Sequence, residues 1–163
     1  MTLFTGLKAL DSENARGVRR VDKGVVTDAG KHLLRDFSYT PDCVIGQVLP
    51  FESTMDWTTH TFQFPKFSID QVSFITGATH VALQFGVLDF NFETMDYHLH
   101  MAAPQMLPKD FAGTGLSMTP TTLPTGLGTQ LAVLGMRYYQ EVDGMMYLLH
   151  AQNGVGIAVV AVR

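Results

Sequence analysis

The chain has 163 residues, of which 46% are apolar and 16% are charged, and its formal net charge is -4 at pH 7. This length and composition support one ordinary globular domain with a real core, and they exclude a disordered chain. The acidic balance argues against a dedicated nucleic-acid binder, because such domains usually carry a basic excess on one face.

The charged residues are unevenly distributed. Twelve of the 26 fall in the first 40 positions, so the 123 residues after Thr40 hold only 14. Charged residues normally make up about a quarter of a soluble chain and mostly coat its surface. We therefore expect other protein to cover part of the surface that the later residues form. Up to Thr40, bases and acids are interleaved, which indicates a solvated mixed-charge face and not a phosphate-binding patch.

The chain carries a single cysteine, Cys43, and no recognisable export signal. One cysteine excludes an internal disulfide and leaves no partner for a cysteine-based metal site. Lys8 interrupts the apolar run at the start of the chain. The apolar run Val155–Val162 is far shorter than the roughly 20 residues that a membrane-spanning helix needs. We therefore expect a cytoplasmic protein that does not enter a membrane.

The first 28 residues lack sustained periodicity and are rich in charge. They predict an N-terminal arm or loosely packed lead-in, followed by a single β-rich domain over residues 29–163. Thr27 or Asp28 could cap a short helix over Ala29–Phe37, which has one apolar side. We expect at most this one short helix.

After Pro41 the pattern becomes typical of short strands. Three segments are each closed by a proline or a glycine: Cys43–Leu49, Trp57–Phe64 and Phe67–Ile75. In Thr79–Phe92 the apolar residues change parity after Gly86, which predicts a bulge, a bend or a crossing to another sheet at that glycine. In Tyr97–Met101 apolar residues alternate with histidines. The proline-rich segment 102–128 predicts a long irregular crossing between sheets.

The sharpest local prediction is a hairpin. Leu131–Val142 and Met145–Leu149 flank Asp143–Gly144, the dipeptide that most readily adopts a type I′ turn. The implied register places Val142 opposite Met145 and puts large apolar groups on both faces of the hairpin. Asn153–Gly154 predicts a second turn of this kind, before the last strand. The strands together predict a mainly β fold, an antiparallel sandwich or barrel of about 7–9 strands.

A combination of short motifs spans most of the chain from Arg19 onward. It comprises Arg19–Gly24, Leu33–Leu34 with Phe37, Gly77–His80 and Tyr138–Gly144. This combination resembles a group of uncharacterised conserved β-rich proteins of Bacteroidetes-type bacteria. Members of that group tend to have longer and more basic N-terminal regions. The group has no established activity, so the resemblance implies no catalytic residue.

The first functional hypothesis is a non-enzymatic structural or interaction module that forms a homo-oligomer or docks on another protein. Methionine and large aromatic residues are favoured at interface cores, where charge is depleted. A two-layer sandwich buries only one face of each sheet, so a hairpin that is apolar on both faces needs further cover. Ordinary core packing is the alternative for each residue taken singly. The candidate contact residues are Met136, Tyr138, Tyr139, Met145, Met146 and Tyr147, with Trp57 as a further one.

The second hypothesis is a small metal-dependent β-barrel enzyme or ligand binder. Asp96, His98 and His100 would project from one face of a strand, where they could contribute to a zinc or iron site with His60 or His80. The alternative is that these histidines simply occupy the solvent-exposed face of an amphipathic strand.

Other catalytic and cofactor motifs do not fit. Five residues separate Gly24 from Gly30, which is one more than a phosphate loop has between its glycines. The chain contains no Gly-x-Ser-x-Gly elbow, and Cys43 lacks a recognisable activating neighbourhood. The sequence therefore predicts no organic cofactor and favours a protein that is not an enzyme.

Overall fold

The computed structural model describes residues 2–126 and 128–163 of the chain. Strands hold 36% of the residues and helices 17%, in nine strands and four α-helices among the described residues. The prediction of a mainly β, antiparallel fold is confirmed. The prediction of at most one short helix is wrong.

The helices lie in the first third of the chain. They are α1 (Leu3–Ala9), α2 (Val21–Val25), α3 (Asp28–Asp36) and α4 (Ile45–Val48), with a 3-10 turn at Ile69–Gln71. α3 corresponds to the helix predicted over Ala29–Phe37, and of the two candidate caps it is Thr27 that caps it, because the Thr27 hydroxyl accepts from the N–H of Gly30 at 3.0 Å. The prediction of a loosely packed lead-in is wrong, since α1 and α2 pack on the sheet and Leu7 is fully buried.

Close backbone contact holds the first three helices together. A Cβ atom at Gly24 would lie 1.8 Å from the carbonyl oxygen of Leu7, and one at Gly30 would lie 2.1 Å from the carbonyl oxygen of Gly24. Helices of 7 and 5 residues are too short to be stable alone. Tertiary packing therefore stabilises α1 and α2, and this is the role of the two glycines whose spacing excluded a phosphate loop.

Nine strands follow in two sheets. They are β1 (Thr54–Asp56), β2 (Thr61–Phe64), β3 (His80–Phe90), β4 (Tyr97–Met101), β5 (Gln105–Pro108), β6 (Leu116–Met118), β7 (Thr129–Val142), β8 (Met145–Leu148) and β9 (Val155–Val162). The smaller sheet has the order β1-β2-β6. In the larger sheet the long strands β3 and β7 pair at the centre, β4 and β5 pair with β3, and β8 and β9 pair with β7.

The predicted hairpin is confirmed. Val142 pairs with Met145, and both turn residues have positive φ, 50° at Asp143 and 78° at Gly144. The second predicted hairpin turn is wrong, because β9 does not fold back on β8. The loop around Asn153 instead returns the chain to the same edge of β7. There β9 pairs with the part of β7 next to the part that pairs with β8.

The predicted bulge at Gly86 is also wrong, because β3 pairs with β7 without interruption from His80 to Phe90. The parity change has another cause. Residues of β3 up to Val87 bury their apolar side chains against the smaller sheet, whereas Leu88 and Phe90 pack on the side of the helices. The first part of β3 is therefore covered on the face towards the smaller sheet and the last part on the face towards the helices, and the apolar residues switch from odd to even positions accordingly.

Two of the three early strand predictions are wrong. Cys43–Leu49 contains α4, in which Ile45 and the C-cap residue Leu49 lie four positions apart and are both buried. Phe67–Ile75 contains the 3-10 turn, and in Trp57–Phe64 the strand begins only at Thr61. A short apolar run has no periodicity that separates a buried strand from a buried helical turn.

The larger sheet lies between two layers. The smaller sheet and α4 cover its inner face, and α1–α3 cover one half of the opposite face, which we call the outer face. Among the described residues, no helix has the length and apolar character required to cross a bilayer.

Candidate interaction surface

The uncovered half of the outer face is largely apolar, with the exposed Arg137 as a charged residue between Ala82 and Val155. The register of the sheet places side chains of β4, β5 and β9 on this face, beside Gly86 and Gly135 of the central strands. Tyr97 and Leu99 are the most exposed of these side chains, at 63% and 55%. The exposed apolar residues of this half are Tyr97, Leu99, Met101, Met106, Val155 and Ile157.

A groove of about 370 Å³ runs along this half of the sheet. Leu99 and Met101 form one wall, Ile157 and Val159 form the other, and Tyr39 closes the end next to the helices. None of the described lining residues is charged. The charge-poor surface expected from the sequence is therefore located on the outer face.

Gly86, at the floor of the groove, leaves room for the side chains that form one wall of the groove. A Cβ atom at Gly86 would lie 2.6 Å from the sulfur of Met101 and 3.2 Å from Cδ1 of Leu99. A Cβ atom at Gly135 would meet nothing closer than 3.8 Å, so it would project into the groove itself. Gly86 therefore acts by side-chain packing and not as a pivot of the strand.

Strand β4 is an edge strand with unpaired backbone groups. The N–H of Ala102 donates to Phe85 and that of Asn91 donates to Asp96, both at 2.9 Å. Because antiparallel bonding alternates, the even-numbered residues of β4 bond to β3 and the backbone of Tyr97 and Leu99 points away from the sheet. Among the described residues, no backbone partner is present for these outward groups of Tyr97 and Leu99.

The other edges of the larger sheet are protected. β5 ends at Pro108, followed by Lys109, and proline and lysine both discourage strand pairing. On β9, the N–H of Ile157 donates to the hydroxyl of Thr40 at 3.0 Å. β8 lies beside the acidic residues Glu141 and Asp143. In the part of the chain that is described, β4 is thus the edge of this sheet with the least protection.

Two of the predicted contact residues belong to the core. Met136 and Tyr138 are 1% and 0% exposed, because even-numbered residues of β7 face the inner cluster. The Tyr138 hydroxyl donates to the carbonyl oxygen of Ser73, and burial, with a smaller contribution from Cys43, raises the pKa of this phenol. Their prediction as interface residues is wrong, since neither reaches the surface.

The other predicted contact residues divide by position. Met145, Met146 and Tyr147 are exposed at the end of the hairpin, beyond the reach of the smaller sheet. Tyr139 is half-buried, and Trp57 is half-buried against the inner cluster. The hairpin end is therefore a second exposed apolar patch, but it carries Glu141 and Asp143.

The predicted metal ligands do not converge within one chain. Asp96 and His98 are exposed, while Nδ1 of His100 lies 2.8 Å from the Thr122 hydroxyl. His60 bonds Gln130 at 3.1 Å, and His80 bonds Thr79 at 2.8 Å. Within residues 2–126 and 128–163, no group of three or more His, Cys, Asp or Glu side chains is arranged to hold a metal ion.

Asp89 lies buried beside this edge. It is 0% exposed and pairs with His98 across the sheet. Its carboxylate accepts from the N–H of Gly126 at 2.8 Å and from that of Gly128 at 2.9 Å. Asp89 therefore anchors the loop that leads into β7.

Sequence reasoning missed Leu99, Met101 and Ile157 as surface residues. The alternation in Tyr97–Met101 showed that one face of β4 is apolar, but only the position of α1–α3 shows that no described part of the chain covers it. Comparison with known protein families, curated proteins and solved structures finds no match. The geometry of the chain itself must therefore support the functional argument.

Proposed function

We propose that this protein is a non-enzymatic structural module that self-associates through β4 and the apolar side chains that lie beside it on the outer face. The observation that carries the proposal is the exposure of Tyr97 and Leu99 on an edge strand whose outward backbone groups have no described partner. Unprotected apolar edge strands template pairing with another chain. Large exposed apolar patches mark interaction sites.

The free energy of association requires an extended contact surface and not a single contact. Fully burying a large apolar side chain contributes roughly 1.5–3 kcal/mol, and the side chains of this half are already partly buried. Association costs about 4–15 kcal/mol in lost translational and rotational freedom. Several side chains from each copy must therefore be covered together, as a continuous face allows.

The single thiol supports a structural role in a reducing compartment. Cys43 is 3% exposed, and burial raises its pKa, which disfavours the thiolate that a nucleophile requires. A cytoplasmic location is part of this proposal, because a lone buried thiol needs no oxidising environment.

The test introduces a charge on the surface. Leu99→Lys should raise the dissociation constant of the self-associated protein at least about tenfold, because it places an unpaired charge in an apolar contact and a cost of about 1.4 kcal/mol is enough for a tenfold change. Val18→Lys is the matched control: Val18 is 66% exposed and lies between α1 and α2. Sedimentation velocity measures both. Equal association of the two variants would contradict the proposed surface.

A further inference from the structure

We infer that β4 pairs with β4 of a second copy of this chain, antiparallel and with His98 opposite His98. This inference rests on the proposed self-association and specifies its geometry. It follows from three features of the edge: its outward backbone groups, the segment that blocks one end, and the order of its side chains.

The backbone of β4 offers a short window for pairing. Tyr97 and Leu99 direct their N–H and C=O groups away from β3. The next outward residue, Met101, is already engaged, because its carbonyl oxygen accepts from the N–H of Thr121 at 3.0 Å. The segment around Thr121 therefore blocks a second strand at Met101.

This window fixes the register. When the two-fold axis passes through His98, Tyr97 of each copy lies opposite Leu99 of the other, and each pair exchanges two N–H to C=O bonds. An axis through Leu99 would instead place Tyr97 opposite Met101, where Thr121 stands in the way. The register centred on His98 uses only backbone groups that are free of described partners.

The side chains match in the same register. On the outer face, Tyr97 packs beside Leu99 of the second copy, an aromatic and aliphatic pair of the kind that stabilises adjacent strands. On the other face, Asp96 lies opposite His100 of the second copy, but the imidazole of His100 is engaged within its own chain, with Nδ1 2.8 Å from the Thr122 hydroxyl and Nε2 buried. The side-chain match therefore rests on the pair of Tyr97 and Leu99.

The resulting assembly is a closed dimer. A two-fold axis normal to the sheet keeps the outer faces of both copies on the same side and joins their larger sheets into one. Each groove then lies next to the axis, since Leu99 and Met101 form its wall, and the part of the outer face that contains Met106 and Ile157 stays uncovered in this dimer. The same patch is used by both copies, as in most symmetric dimers.

Disulfide trapping tests the register directly. In an antiparallel pair that is not hydrogen-bonded, the Cα atoms lie about 4.5 Å apart, which is within the range that a disulfide spans. His98→Cys should therefore form a linked dimer under mild oxidation. Met95→Cys should not, because Met95 lies opposite position 101 and not opposite itself. The native Cys43 is buried and should not react.

A second control addresses the hairpin. Met145 is 61% exposed, as is Met95. Met145→Cys reports on association through the hairpin end, and linkage of this variant instead of His98→Cys would overturn the inference. Self-association without linkage at His98 would overturn the register and leave the proposed function standing. A monomer at all concentrations would overturn both.

Leu99→Pro provides a measurement that needs no oxidation. The N–H of Leu99 points away from β3, so proline removes an outward donor without removing a bond of the β3–β4 ladder. We expect the dissociation constant to rise at least about tenfold while far-ultraviolet circular dichroism stays unchanged. Unchanged association in a folded Leu99→Pro variant would contradict strand pairing.

Discussion

Asp11 organises the segment between the first two helices. Its carboxylate is 1% exposed and accepts hydrogen bonds from the backbone N–H of Glu13, Asn14 and Arg20 and from the side-chain amide of Asn14, at 2.8–3.1 Å. Burial alone would raise the pKa of this group, but the four hydrogen bonds outweigh burial and lower the pKa to about 2.

This shift predicts a pH dependence of stability. The folded pKa of about 2 is below the ordinary value of 3.8, so the stabilisation by Asp11 is present above about pH 4 and is lost as the pH falls through 2. Urea unfolding at several pH values should show that Asp11→Asn is less stable than the wild type at pH 7. The difference should shrink steadily below pH 4.

Asp110→Asn is the matched control, because Asp110 is exposed. Its stability should follow that of the wild type across the whole pH range. A constant difference between Asp11→Asn and the wild type from pH 7 to pH 2 would contradict the role assigned to the Asp11 carboxylate.

Individual buried polar residues were the least predictable part of the fold. The sequence placed Asp11 among solvated charges, but it is buried, and one of its backbone donors, Arg20, lies nine residues further along the chain. Asp89 is buried because backbone N–H groups 37 and 39 residues further along the chain bond it. Partners at such separations leave no local pattern in the sequence.

At the scale of elements, Gly24 joins the three N-terminal helices. Gly24→Ala should reduce the free energy of unfolding by roughly 1–3 kcal/mol, because the added Cβ atom would meet the backbone of Leu7 and force the helices apart. Chemical denaturation measures the change. Gly46→Ala in α4 is the control, since a Cβ atom there meets nothing within 4 Å. It should be neutral or slightly stabilising, and equal losses would contradict the packing argument.

Elements whose conformation depends on adjacent residues were predictable. Thr27 caps α3, and Asp143–Gly144 forms the hairpin turn, because both structures depend on adjacent residues. Elements that depend on packing were not, as α1, α2 and α4 show. Of the predicted contact residues, Met136 and Tyr138 lie in the core because the parity along β7 sends them inward, whereas Met145, Met146 and Tyr147 are exposed.

At the scale of the whole molecule, the uneven charge along the chain reflects its layers. The charge-rich residues up to Thr40 form α1–α3, which lie on the outer face and meet solvent. They cover the part of that face around Leu131 and Val159, up to the end of the groove. The other part is built from the charge-poor part of the chain and is covered by no described residue.

Self-association of the unmodified protein is the central claim. Light scattering coupled to size exclusion, from low to high micromolar concentration, measures it most directly. We expect a mass that rises with concentration towards twice the 18.0 kDa of one chain. A mass of 18.0 kDa at every concentration would contradict it.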